Sequence, residues 1–223
     1  MPDIPVKNCC GCTACYNICP VGAIEMCPNE EGFLYPVVLN AQCINCLKCE
    51  QVCPEKNPPV VSDYYSEVVI AQNSSDDVLD DSTSGGFIDE LYWYVINDLG
   101  GYGVGVLYSD DFLPTHSITN DYSEAVKFRN SKYAQSELSD IFTQIKDLLK
   151  KDKTVLFVGT PCQVMGLKLF LRKEYNNLLA VEVVCHGVPS PLVWEKYLEE
   201  VCKRKKISLN EIKNISFRNK DKS

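Results

Sequence analysis

The firmest hydrophobic pattern lies at residues 136–150, where Leu138, Ile141, Phe142, Ile145, Leu148 and Leu149 recur every three or four positions. That 3.6-residue period predicts one amphipathic helix over the segment. Downstream, residues 154–158 read as a strand, 163–175 as a helix, 178–184 as a strand and 191–203 as a helix. Upstream, residues 67–72 and 102–108 read as strands and 86–97 as a helix. A short last strand is expected at 215–217, and His116 falls in an edge strand as a structural residue. A strand–helix–strand–helix series favours an α/β sheet with at least one parallel pair. The longest apolar runs, 155–158 and 183–185, fall far short of a membrane span.

The first part of the chain breaks this rhythm. Ten of the thirteen cysteines precede residue 54, and the rest are Cys162, Cys185 and Cys202. The break coincides with Lys56-Asn57-Pro58-Pro59, where paired prolines stop helices and sheet ladders alike. An odd number of cysteines, in a chain that does not open on a basic and then apolar leader, reads poorly as a disulfide framework. Metal binding in a reducing cytoplasm is the expectation. A net charge of −8 argues against a nucleic-acid binder, and the basic run 203–206 reads as a solvated helix end.

Spacing gives the cysteines their chemistry. Cys9, Cys12, Cys15 and Cys19 are followed by Pro20, and Cys43, Cys46, Cys49 and Cys53 by Pro54, two copies of C-x2-C-x2-C-x3-C-P. The copies start 34 residues apart, an internal repeat. Three closely spaced thiolates wrap one iron–sulfur cube, and the fourth reaches the other cube. Cys9, Cys12, Cys15 and Cys53 are therefore expected to hold one [4Fe–4S] cluster, and Cys43, Cys46, Cys49 and Cys19 a second. Zinc also takes four thiolates, but its sites usually pair C-x2-C units. Cys10 and Cys27 are left over and read as small buried fillers.

The expected fold class is α+β: a ferredoxin-like two-cluster domain at 1–57, a proline-containing linker at 58–66, and an α/β domain with a partly parallel sheet at 67–223. The second domain offers several candidate ligand sites. Ser82-Thr83-Ser84-Gly85-Gly86 precedes a helix, so its amides and hydroxyls could cradle phosphate; the alternative is a serine-capped helix, which Asp89 and Glu90 in the first turn suit better. Residues 129–136 place Arg129, Lys132 and Tyr133 in a loop that could clamp a phosphorylated cofactor or simply be solvated. No G-x-G-x-x-G and no P-loop is present. Cys162 and Cys185 each follow a predicted strand, at the rim where open α/β sheets bind ligands.

Over the first segment the chain resembles bacterial two-cluster ferredoxins, with Cys19-Pro20-Val21-Gly22-Ala23-Ile24 close to their first half. After Cys53-Pro54 the matching apolar strand is missing. Five further motifs appear in order: Ser84-Gly85-Gly86, residues 129–136, Gly159-Thr160-Pro161-Cys162-Gln163, Cys185-His186-Gly187-Val188-Pro189-Ser190 and Phe217-Arg218. Together they resemble the coenzyme F420 hydrogenase/dehydrogenase beta-subunit family. That resemblance implies an iron–sulfur flavoprotein oxidoreductase with FAD in the α/β domain, and Ser84, Gly85, Gly86, Ser131, Lys132 and Tyr133 as flavin-site residues. Cys162 and Cys185 are expected to line the same pocket, the alternatives being small residues in tight turns or ligands of a third cluster, for which two rim thiolates are too few on their own. Electrons would pass between the clusters and FAD and on to coenzyme F420 or another two-electron acceptor, with a redox protein or ferredoxin as partner. Because family members usually continue well past the Phe217-Arg218 motif, the α/β domain is expected to be incomplete at its C-terminus. Two rivals stand beside this reading: a non-catalytic electron-transfer subunit of a larger complex, and a transferase or binding domain with structural clusters.

Overall fold

The structure is a computed structural model that describes residues 2–4, 6–58 and 67–217. Its main elements, in chain order, are α1 (Ala14–Ile18), β1 (Ile24–Pro28), β2 (Leu34–Val38), α2 (Lys48–Gln51), α3 (Asp76–Asp81), α4 (Phe87–Trp93), β3 (Tyr102–Tyr108), β4 (Pro114–Thr119), α5 (Tyr122–Ala125), α6 (Ile141–Lys150), β5 (Val155–Gly159), α7 (Pro161–Leu171), β6 (Leu178–Glu182) and α8 (Pro191–Lys205). Helices and strands mix as expected, with a partly parallel sheet.

The internal repeat is visible in the backbone. Gly11 and Asn45 occupy equivalent positions of the two cysteine loops, as do Thr13 and Leu47, and all four have positive φ (69°, 52°, 61° and 57°). Left-handed residues turn a chain sharply. Each loop then delivers its third cysteine, Cys15 or Cys49, into the short helix that follows, α1 or α2. Both cysteines are buried together with Ile24 of the β1–β2 hairpin. The hairpin closes on Asn29, whose side-chain oxygen accepts the N–H groups of Glu31 and Phe33 (3.1 and 2.8 Å).

The second part is built on a four-stranded sheet in the order β4-β3-β5-β6, with β4 antiparallel to β3 and the remaining pairs parallel. Strand β5 is central, and its Val155, Leu156 and Phe157 are fully buried. Alternation along a strand sends neighbours to opposite faces. Val155 and Phe157 pack with Phe142 and Ile145 of α6 and Val164, Leu167 and Phe170 of α7. Leu156 packs on the other face with Tyr92, Val95, Ile96 and Phe128. Helices therefore cover both faces, which is why β5 reads as a continuous apolar run.

The cysteine loops are not a separate bead. Cys12, Ala14 and Val52 belong to the same buried cluster as α6 and α7. Close approach at Gly166 allows this, because a Cβ there would lie 2.9 Å from both Cβ and Sγ of Cys12. Gly166→Ala is thus expected to overpack the seam and cost about 1–3 kcal/mol, read as a lower urea midpoint at unchanged slope. A variant as stable as the parent would show that the loop yields freely.

Four expectations need correction. Residues 67–72 form no strand among the described residues; Val68, Val69 and Ile70 stand exposed. Their β-branched run suits a strand, but no described strand pairs with them. The helix expected at 136–150 begins only at Ile141. Before it, Glu137 exchanges backbone hydrogen bonds with β4, donating to Pro114 O (2.9 Å) and accepting from His116 N (2.8 Å). Tertiary pairing overrides helical period there, although Leu138 still reaches the core. Residues 215–217 are irregular rather than extended in a sheet. Cys10 is exposed and Cys27 half-buried, so neither is a buried filler. The linker, apart from Pro58, and Arg218 lie outside the described residues.

Candidate functional site

None of the eight motif cysteines is in a disulfide. Cys19, Cys43, Cys46 and Cys49 line one small cavity, walled otherwise by apolar groups including Val21, Ile24, Val38 and Ile44. The last cysteine of the first motif thus stands beside the first three of the second. On the other side, Cys9, Cys15 and Cys53 are close enough for each thiolate to disfavour another. Cys12 is buried beside them, under Gly166.

Backbone amides already point at sulfur. The N–H of Gly11 donates to Cys9 Sγ (3.4 Å) and that of Ala23 to Cys19 Sγ (3.1 Å). Burial, with the neighbouring Cys9 thiol second, pushes the Cys15 thiol up to about 12. Iron must therefore displace protons as it binds. Among the described residues, no three His, Cys, Asp or Glu side chains are grouped to hold a single metal ion. Four thiols around a cavity suit a cube instead, since each thiolate takes a different iron corner. The donors present fit two such cubes, with the quartets named above.

Cys162 and Cys185 follow the parallel strands β5 and β6, at the expected rim. Their surroundings differ. Cys162 opens α7 and hydrogen-bonds with Thr160 Oγ1 (3.1 Å), and the neighbouring Cys10 thiol, with burial second, pushes its own thiol up. Cys185 is exposed, its sulfur accepting from Gly187 N (3.4 Å). Cys162 thus meets the first cysteine loop, a contact that sequence reading missed because 152 residues separate it from Cys10.

The two segments singled out for a flavin lie side by side. Thr83 hydrogen-bonds to Asn130, and Asn130 donates to Asp81 O (2.9 Å). Gly86 has φ 65° at the start of α4, and a Cβ on Gly85 would press against Ala71 O at 3.0 Å. Ser84 lies between these turns, and Ser131 is exposed in the facing loop. The Arg129 guanidinium is already engaged: Nε and Nη2 donate to the Asp89 carboxylate (2.6 and 3.0 Å), which also accepts the Tyr122 hydroxyl (2.7 Å). Asp89 is buried, so the carboxylate expected to cap α4 is instead the anchor of an internal ion pair. That removes Arg129 as a free phosphate clamp.

Lys132 keeps its charge uncommitted. Its ammonium donates to backbone oxygens, Lys127 O (3.0 Å) and Arg129 O (2.7 Å), and burial lowers it to about 8. Tyr133 is partly exposed and meets Phe217 edge-on (4.9 Å), which in turn packs on Trp194 (5.4 Å). This aromatic group left no periodic signal, because its members come from a loop, α8 and the end of the described chain. A further cleft of about 310 Å³ opens between the hairpin and residues 135–139, lined among others by Gly11, Glu25, Cys27 and Glu137. No described helix is long and apolar enough to cross a membrane.

Comparison with known proteins adds two partial matches. Residues 8–57 match the 4Fe-4S dicluster domain, and residues 152–223 match the C terminus of the coenzyme F420 hydrogenase/dehydrogenase beta subunit. A curated relative, the F subunit of the F(420)H(2) dehydrogenase of Methanosarcina mazei, is 20% identical over 94% of this chain. The chain spans 61% of that relative's length. A chain in the F420-reducing [NiFe] hydrogenase complex from Methanosarcina barkeri aligns at a TM-score of 0.49 and 17% identity, covering 66% of this chain and 52% of its own. Each match covers less than half of the chain: residues 8–57 are similar to a 4Fe-4S dicluster domain, and residues 152–223 to the C terminus of the coenzyme F420 hydrogenase/dehydrogenase beta subunit.

Proposed function

We propose that this is a cytoplasmic iron–sulfur flavoprotein subunit that passes electrons between two [4Fe–4S] clusters and FAD, and on to a two-electron acceptor of the coenzyme F420 type or another organic molecule. The observation that carries the reading is the small cavity that brings Cys19 of the first motif to Cys43, Cys46 and Cys49 of the second. When bound, the clusters supply one-electron carriers and the flavin converts single electrons into hydride equivalents. The chain's own residues have simpler tasks. The left-handed loops present thiolates, the Gly11 and Ala23 amides help to hold their charge, and the Gly166 contact keeps the first loop against the sheet layer. Ser84, Gly85 and Gly86 face the loop of Ser131, Lys132 and Tyr133, and Lys132 is the cation left to meet a phosphate. A redox protein or ferredoxin is the natural exchange partner for the clusters.

A second reading has its own support. Because Asp89 occupies Arg129, the loop retains little charge for a dinucleotide, which favours an electron-transfer subunit whose chemistry lies on another chain. Titrating the protein with FAD across pH separates the two. Burial depresses Lys132, so its ammonium form persists below pH about 8 and is lost as pH rises. FAD affinity is accordingly expected to be level below pH about 8 and to fall above it by up to about tenfold per unit. Lys132→Gln should flatten that slope. No FAD binding at any pH, with the clusters intact, would favour the second reading.

A further inference from the structure

The cleft of about 310 Å³ between the β1–β2 hairpin and residues 135–139 belongs to neither the cysteine quartets nor the loops singled out for a flavin. Glu25 and Met26 of β1 line it on the hairpin side, and Glu137 and Leu138 on the other. Tyr16 of α1, half-exposed, adds an aromatic ring. A cavity of this size, with apolar walls and a few polar groups, suits a small organic molecule.

Charge selects among such molecules. Two carboxylates line the cleft, and no Lys, Arg or His does. The Glu137 carboxylate accepts the Ser139 hydroxyl (2.7 Å), and among the described residues no cation pairs with it or with Glu25. An anion is repelled there, whereas a cation gains from both groups. Cys27 lines the cleft as well, yet no three His, Cys, Asp or Glu side chains among the described residues are grouped to hold a metal ion. The lining therefore fits an organic cation, with an ammonium head for the carboxylates and the Tyr16 ring and an apolar body for Met26 and Leu138.

Gly11 and Thr13 line the same cleft. Both belong to the first cysteine loop, and the N–H of Gly11 donates to Cys9 Sγ (3.4 Å). A charge that fills the cleft thus lies beside the cluster assigned to Cys9, Cys12, Cys15 and Cys53. Reduction adds one negative charge to that cluster. We propose that the cleft binds a small organic cation, an ammonium group on an apolar body, and binds it more tightly when the neighbouring cluster is reduced. The coupling rests on the cluster reading above; the site itself does not. By reciprocity the bound cation makes that cluster easier to reduce, so occupancy of the cleft tunes electron transfer through the first cluster.

Anaerobic calorimetry on the cluster-loaded protein, with iron counted on the same sample, tests both halves. Benzyltrimethylammonium is the probe, with benzyl alcohol and benzoate as its neutral and anionic controls. The cation is expected to bind about tenfold tighter than the alcohol, and benzoate not at all. Glu25→Gln and Glu137→Gln should each remove part of that preference and the double variant all of it, at an unchanged urea midpoint because both side chains are exposed. Dithionite-reduced protein should bind the cation roughly three- to tenfold tighter than oxidised protein at matched ionic strength. Saturating cation should correspondingly raise one cluster's midpoint potential, by about 59 mV per tenfold. Equal affinity for cation and alcohol, or a preference that survives the double variant, would overturn the proposal. So would equal affinity before and after reduction at about eight irons per chain. An iron count well below that would fault the cluster reading instead, while the comparison of cation with alcohol, which needs no iron, still decides the site.

Discussion

Replacing Cys46 by Ala is expected to reduce the iron content from about eight to about four per chain and to leave the sheet-bearing part folded. Cys46 is exposed at the cavity that Cys19, Cys43 and Cys49 also line, and it lies outside the buried core of α6 and α7. The crossed arrangement sharpens the test. Cys19→Ala should remove the same cluster as Cys46→Ala, although 27 residues separate them, while Cys53→Ala should remove the cluster held by Cys9 and Cys15. Paramagnetic resonance of the reduced variants distinguishes the two survivors. Different spectra from Cys19→Ala and Cys46→Ala would mean that the quartets are not crossed.

The second large effect belongs to Asp89. Its carboxylate is 4% exposed and takes three donors from Arg129 and Tyr122. Removing one partner of a buried pair strands the other, so Asp89→Ala is expected to cost about 3–5 kcal/mol. In a chain of this size that lowers the melting temperature by roughly 10 °C. Asp89→Asn, which retains an acceptor for Tyr122, should cost less. Combining Asp89→Ala with Arg129→Met should recover part of the loss, because no guanidinium is then left unpaired. Calorimetry or urea unfolding of the four proteins decides it: a loss below about 0.5 kcal/mol would mark the pair as a surface interaction.

What could be read in advance was what is local. The two cysteine motifs and their repeat follow from spacing, and the positive φ at Gly11, Thr13, Asn45 and Leu47 shows how the backbone realises that repeat. Strand 102–108 and helix 191–203 reappear with boundaries within two residues, because their patterns are long or bounded by glycine and proline. The misreadings share one cause. Residues 67–72 read like a strand but have no described strand partner, and residues 136–140 continue a helical stripe, but Glu137 pairs with β4 instead. A period reports which face is apolar, not which neighbour supplies hydrogen bonds. The Asp89–Arg129 pair spans 40 residues and the Cys10–Cys162 contact 152, so neither leaves a local trace. In both cases a plain role, a helix cap and a buried filler, was the natural reading of the residue alone.

Two clusters in this chain is the claim on which the rest depends, and iron with acid-labile sulfide, counted on anaerobically reconstituted wild-type protein, tests it most directly. About eight of each per chain are expected, with broad blue absorbance that dithionite bleaches. Stoichiometric zinc without bleaching, or iron at about twelve per chain, would contradict it.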